Sequence, residues 1–191
     1  MARLPDLLKF SAKHELKIGT ISDLIAYRRK NDNLVRQISS EPITLLHGGV
    51  WVLKVFEDQI RKVEHIVLIK GENKPETPTL ARMHSFNLLE DVLGIKKDRY
   101  SLLPNAMKQI AEKGSGVIVL LQKVKQDLES TESGSQILRQ YGIGAQILLA
   151  LGINRIDLLS NSPDTKVIGL EGYDLKIESR IPILEDKNVD R

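Results

Sequence analysis

Three rhythms of apolar and polar positions succeed one another along the chain. In the first, Leu4, Leu7, Leu8 and Phe10 recur near helical spacing, with Pro5 in the opening turn and Gly19 as the interruption. Thr20 and Asp23 then make a capping pair ahead of a stripe of Ile21, Leu24, Ile25 and Arg28, so this front segment predicts helix, turn, helix. Apolar density drops through "KNDNLVRQISSEP", which reads as a linker and divides the chain into segments 1–37 and 38–191.

From Ile43 the period shortens. "VWVLKVFE" and "VEHIVLIKG" are rich in β-branched and aromatic residues, and the second closes on Gly71. The turn-rich "ENKPETP" leads to a third candidate strand, "TLARMHS", and the three predict an antiparallel meander. Then helix, glycine and strand recur three times. "PNAMKQIAEKG" stops at Gly114 before the apolar "GVIVLL", and "IGAQILLALG" stops at Gly152 before "INRIDLLSN". Finally Ser162 caps a helix with Pro163 in its first turn, Gly172 ends it, and "YDLKIESRIPI" is the last strand. The stretch "QKVKQDLESTESGSQILRQY" is polar and weakly defined. The pattern predicts an α/β (mixed α+β) fold, N-terminal antiparallel strands followed by helix–strand repeats on a mixed sheet.

Composition narrows the choice of partners. A chain of 191 residues suffices for one good core, and its 41% apolar content is ordinary for a globular domain. Lys and Arg number 28 against 25 Asp and Glu, and the two signs are interspersed except at Arg28-Arg29-Lys30 and at Lys96, Lys97 and Arg99. Without a basic stripe, and with 4% aromatic residues for base stacking, a nucleic-acid partner is not expected. Cysteine is absent, which excludes disulfides and thiol nucleophiles and leaves a zinc site only His and carboxylate ligands. No apolar run reaches 18 residues, and "MARLPDLLKF" meets a proline and an acid too early for a signal sequence. The expectation is a cytoplasmic chain with no membrane partner.

Four stretches, "RMHS" after a strand, "IAEKGSGVIVLL", "YGIGAQILLALGINRIDLLSNSP" and "LEGYDLKIESRIPI", together resemble GTP cyclohydrolase II, the zinc enzyme that opens the riboflavin pathway. Residues 1–30 resemble the carboxy-terminal tail of 3,4-dihydroxy-2-butanone 4-phosphate synthase, which precedes the cyclohydrolase in bacterial fusions. The resemblance implies a second half of such a fusion, cut just inside the end of the first. It also implies a synthase domain as fused partner, a homodimer, and magnesium chemistry in that synthase rather than here.

The resemblance further implies three zinc cysteines. The first falls at Asn87 and the other two among Lys97, Asp98, Arg99 and Tyr100, so no metal ligand set remains and zinc is expected absent. The family's Gln-Glu-Gly-Arg element becomes "QKVKQ", keeping Gln122, and Phe86 stands for an expected Glu. Arg139 matches the family's nucleophilic arginine, but Ile137 takes the place of its acid, which makes Arg139 an inactive remnant. Ser160, Asn161 and Pro163 match "Leu-Thr-Asn-Asn-Pro-x-Lys", whose lysine is displaced to Lys166.

Arg82, Ser160 and Lys166 are thus the candidate nucleotide contacts, with Arg139 the candidate catalytic remnant. Against this, Arg82 suits a surface ion pair better, and His84 suits a hydrogen-bonded packing residue. His65 in its strand could face either way. Asp91 and Glu90 read as partners of Lys96 or Lys97 in a surface network. The "GSG" at 114–116 lacks the spacing and the Lys-Ser/Thr of a phosphate loop and reads as a helix stop and close turn. Two functions compete: a catalytically degenerate cyclohydrolase-like domain that supports a fused synthase with GTP binding weak or absent, and a surviving GTP-binding regulatory module. Residual cyclohydrolase activity is the third alternative.

Overall fold

Continuous and alternating apolar runs sort the strands of one seven-stranded mixed sheet. The computed structural model describes residues 4–19, 27, 34–74, 76–95, 100–122, 134–161 and 175–184, without the side chains of 134–139. The chain divides into two compact units, Met1–Asp32 and Asn33–Arg191. In the first, helix α1 (Leu4–Lys13) turns an apolar stripe outward and has no buried residue. The second predicted helix of that unit lies outside the described residues, apart from Tyr27.

The larger unit opens with β1 (Val35–Leu45), β2 (Gly49–Asp58) and β3 (Val63–Lys70), paired antiparallel in that order. Here the linker expectation is corrected. "VRQISSEP" belongs to β1, whose residues 36–42 are exposed because it is the edge strand, with Pro42 tolerated there. Its low apolar density reflects that edge position, since the exposed stretch 36–42 needs little apolar content, while Ile43 and Leu45 beyond it pack against the core around Ile110. Val35 is the exception at 2% exposed, opposite Asp58.

The meander is corrected in its membership. β4 (Thr79–Ser85) does not follow β3 in space; β5 (Gly116–Leu121) pairs antiparallel with β3 and parallel with β4. β6 (Arg155–Leu159) and β7 (Lys176–Ile181) continue the parallel set on the other side of β4. The order is β1-β2-β3-β5-β4-β6-β7. Between β4 and β5 come the short α2 (Leu88–Asp91) and α3 (Leu102–Lys113), and α4 (Gly134–Ala150) joins β5 to β6. Two of the three helix–glycine–strand units are therefore present as predicted, and the third helix lies outside the described residues.

Alternation along the strands makes two cores. Val117, Val119, Leu121, Ala81 and Met83 point to the face of α4, with Ile143, Ala145, Ile147 and Leu148. Ile118, Leu80 and Leu159 point to the face of α3, with Ala106 and Ile110. Central strands covered on both faces explain the unbroken "GVIVLL". The structural reading of "GSG" follows from packing: Gly114 ends α3 at φ 81°, and a Cβ on Gly116 would lie 2.6 Å from the Leu80 carbonyl oxygen.

The helices on opposite faces place a switch in strand order. From β4 the chain moves by α3 to β5 on one side, and from β5 by α4 across to β6 on the other. The connections leaving β4 and β6 diverge, and in open α/β sheets the crevice at such carboxyl ends is where ligands bind.

Candidate functional site

At that crevice the sequence supplies Arg82 and His84 from β4, the 86–95 turn behind them, and Leu159, Ser160 and Asn161 from the end of β6. Residues 82 and 84 share the α3 face because side chains two apart in a strand point the same way. The Arg82 guanidinium donates through Nη1 to the Leu159 carbonyl at 3.0 Å and through Nη2 to His84 Nδ1 at 3.3 Å. A guanidinium has no acceptor, so Nδ1 accepts and His84 carries its proton on Nε2. That Nε2–H donates to Asp91 Oδ2 at 2.9 Å, with the two side chains 0% and 3% exposed.

Asp91 is therefore buried against histidine rather than at the surface, which corrects its expected exposure; Lys96 and Lys97, the partners the sequence suggests, lie outside the described residues. The same Oδ2 accepts the Asn87 amide at 2.8 Å. Asn87 caps α2, its Oδ1 accepting from the Leu89 amide at 3.0 Å. The signal for that cap was in the sequence: Asn87-Leu88-Leu89-Glu90 has the cap-x-x-Glu spacing of a helix start.

Backbone donors at the strand ends are committed as well. The Phe86 amide bonds the Leu121 carbonyl at 2.9 Å, and the Ser160 amide bonds the Ile181 carbonyl at 3.0 Å. The Gln122 amide bonds His65 Nδ1 at 3.2 Å. Asn161, two residues beyond β6, grips the backbone of Ile183 twice, accepting at 2.6 Å and donating at 3.1 Å. These bonds stitch the carboxyl edge to itself and to the chain that follows β7.

His65 faces inward from β3 and is 5% exposed. With Nδ1 accepting from Gln122, its proton sits on Nε2, for which no partner is found among the described residues. Burial holds its pKa below the ordinary histidine value, and the nearby Asp58 carboxylate opposes the shift.

The four candidate residues fare unequally. Arg82 and Ser160 come together, since the carbonyl that Arg82 holds belongs to Leu159, the residue before Ser160. Arg139 lies in the second turn of α4, its side chain outside the described residues, and Lys166 lies outside them altogether. The zinc that the resemblance implies does not fit the residues present. Asn87 spends its only side-chain acceptor on a helix amide, and Tyr100 is an exposed phenol. Among the described residues no three His, Cys, Asp or Glu gather as a ligand set.

Comparison with known proteins agrees with this architecture. The sequence model for GTP cyclohydrolase II matches residues 36–182. The riboflavin biosynthesis protein RibBA of Aquifex aeolicus is 35% identical over 211 residues, covering 98% of this chain and 52% of its own. The 3,4-dihydroxy-2-butanone 4-phosphate synthase of Pseudomonas syringae pv. tomato is 36% identical over 198 residues, covering 95% and 53%. The crystal structure of RibBX, a two domain 3,4-dihydroxy-2-butanone 4-phosphate synthase from A. baumannii, superposes with a TM-score of 0.59 at 31% identity, covering 95% of this chain and 50% of that one. The chain thus spans about half the length of the curated relatives it matches.

Proposed function

This chain belongs to the GTP cyclohydrolase II family, and from that premise we propose that it is a degenerate member, a scaffold domain of a riboflavin-biosynthesis fusion that supports a synthase half rather than opening GTP. The observation that supports this reading is the commitment of polar groups at the β4/β6 crevice. Arg82 is turned onto Leu159 and His84, His84 has both ring nitrogens occupied, and the amides of Phe86, Asn87, Gln122 and Ser160 have protein acceptors. A triphosphate would compete with each of these bonds. The loss of one charged contact costs roughly 1.5–3 kcal/mol. Two such losses weaken binding about a hundredfold or more at 1.4 kcal/mol per tenfold.

Two relatives support the same reading: the Pseudomonas syringae protein and RibBX of A. baumannii carry the name of the synthase reaction alone, although each matches this chain over about half its length, whereas the RibBA proteins do not carry it. On this reading the fused parent makes 3,4-dihydroxy-2-butanone 4-phosphate and formate from ribulose 5-phosphate with magnesium, all in the half absent from this chain. α1, with Leu4, Leu7, Leu8 and Phe10 exposed, is the piece that packs against that half, and the assembly is a cytoplasmic homodimer.

Calorimetric titration with GTP, paired with assays for pyrophosphate and formate, tests the reading. The expected result is a Kd no tighter than about millimolar, no product, and no change on Arg139→Ala. The proximity of Arg82 and Ser160 favours the competing regulatory-module reading. Micromolar binding abolished by Arg139→Ala would establish that alternative and overturn the scaffold.

A further inference from the structure

We propose that Arg82, His84, Asn87 and Asp91 form a metal-free clasp that pins the 86–95 turn to the carboxyl ends of β4 and β6. The inference rests on the reading above that the residues here do not form a zinc site. Its starting point is what cannot hold this turn. α2 has only four residues, of which Asp91 alone has its side chain shielded from water, and a helix that short is unstable by itself. Of the turn's six apolar side chains four face outward, Leu88 at 42%, Val92 at 53%, Leu93 at 66% and Ile95 at 61% exposure, while Phe86 and Leu89 are half-buried. Apolar burial therefore holds the turn through those two at most, and the polar network is its other tie to the sheet.

That network runs without a break from the sheet to the turn. The Leu159 carbonyl of β6 accepts from Arg82, Arg82 donates to His84, and His84 donates to Asp91. Asp91 Oδ2 is the keystone, since it receives both His84 Nε2–H from β4 and the Asn87 N–H that starts α2. The Asp91 amide returns a bond to the Asn87 carbonyl at 2.8 Å, and Asn87 Oδ1 closes the first turn on Leu89. His84 and the Asp91 side chain are shielded from water, so these charge-assisted bonds escape the screening that weakens surface pairs. With both nitrogens engaged, His84 would have to give up one of these bonds to offer a lone pair to a metal or to a substrate proton.

Hydrogen exchange of the full chain tests the clasp. In Asp91→Ala the amides of residues 87–95 should lose roughly a hundredfold or more of their protection, the scale set by breaking a buried pair, while those of β5 keep theirs. His84→Ala should give a smaller loss over the same residues, because the Asn87 amide keeps its acceptor, and the double variant little beyond Asp91→Ala, which already removes the shared His84–Asp91 link. Full protection of 87–95 in Asp91→Ala would overturn the proposal. Should Asp91→Ala fail to fold, Asn87→Ala removes the cap and leaves the His84–Asp91 bond. Its expected effect is a smaller loss confined to 87–95, and no loss there would overturn the proposal. One equivalent of zinc, or a chelator, should leave protection of the turn unchanged; a zinc-dependent gain would overturn the clasp. None of these outcomes bears on whether GTP binds, which the titration decides separately.

Discussion

Strand β5 and the strand ends beside it belong to one sheet and obey different rules. Val117, Ile118 and Val119 are fully buried, and their requirement is volume: any well-fitting apolar set between α3 and α4 would satisfy it. At the carboxyl ends the requirement is pairing. Polar groups there must find partners in a ligand, in water or in the protein, because burying them unpaired is costly. In this chain many find partners in the protein. An edge whose polar groups are partly satisfied by the protein itself leans less on a ligand for its shape. Core and site can therefore diverge within one chain while the architecture persists.

The sharpest way to break the core side of this contrast is Ile118→Ala. A fully buried isoleucine between two helical layers should cost about 2–5 kcal/mol, read as a lower urea midpoint at unchanged slope. Gly116→Ala comes next. Its Cβ would meet the Leu80 carbonyl oxygen at 2.6 Å, a backbone contact that cannot rotate away, so about 1–3 kcal/mol should be lost. Neither change touches the edge network, and neither should alter protection of residues 87–95 relative to the rest of the folded chain.

His65 sharpens the comparison from the edge side, because it lies in the core and serves the edge by accepting from Gln122. Burial lowers its folded pKa from the ordinary 6.5, so the unfolded chain takes up its proton at higher pH than the folded chain does. The stabilisation is complete above that ordinary value and falls as pH drops below it. Melting curves from pH 7.5 to about 5.5 should therefore show acid destabilisation, reduced in His65→Asn, which keeps an acceptor for Gln122. An equal pH slope in both proteins would remove His65 from the account.

The smallest effect is expected far from the crevice, at the exposed edge of β1. Arg36 meets Glu57 at 3.2 Å, but its side chain is 64% exposed. Arg36→Ala should change stability by less than about 1 kcal/mol, and thermal melts in low and high salt should confirm that little of it is electrostatic. A larger loss would mean that β1 is covered in solution by a partner.

Much of the fold was legible from residue order, because its signals are local. Gly114 and Gly152 marked helix ends, "GVIVLL" announced an apolar strand, and the absence of cysteine was plain from composition. β1 was missed because an edge strand needs no apolar run. The neighbour of β4 was missed because strand pairing is a long-range choice, made when α3 carries β5 back between β3 and β4. Asp91 shows the limit most clearly. In sequence it stands beside a basic run and invites a surface pairing, and only the return of the 86–95 turn over β4 brings it to His84. The sequence by itself determined which elements form and which chemical groups the chain carries. Which polar groups meet was decided only in the tertiary structure, because hydrogen bonds are short and directional, and no spacing along the chain specifies a distance across it.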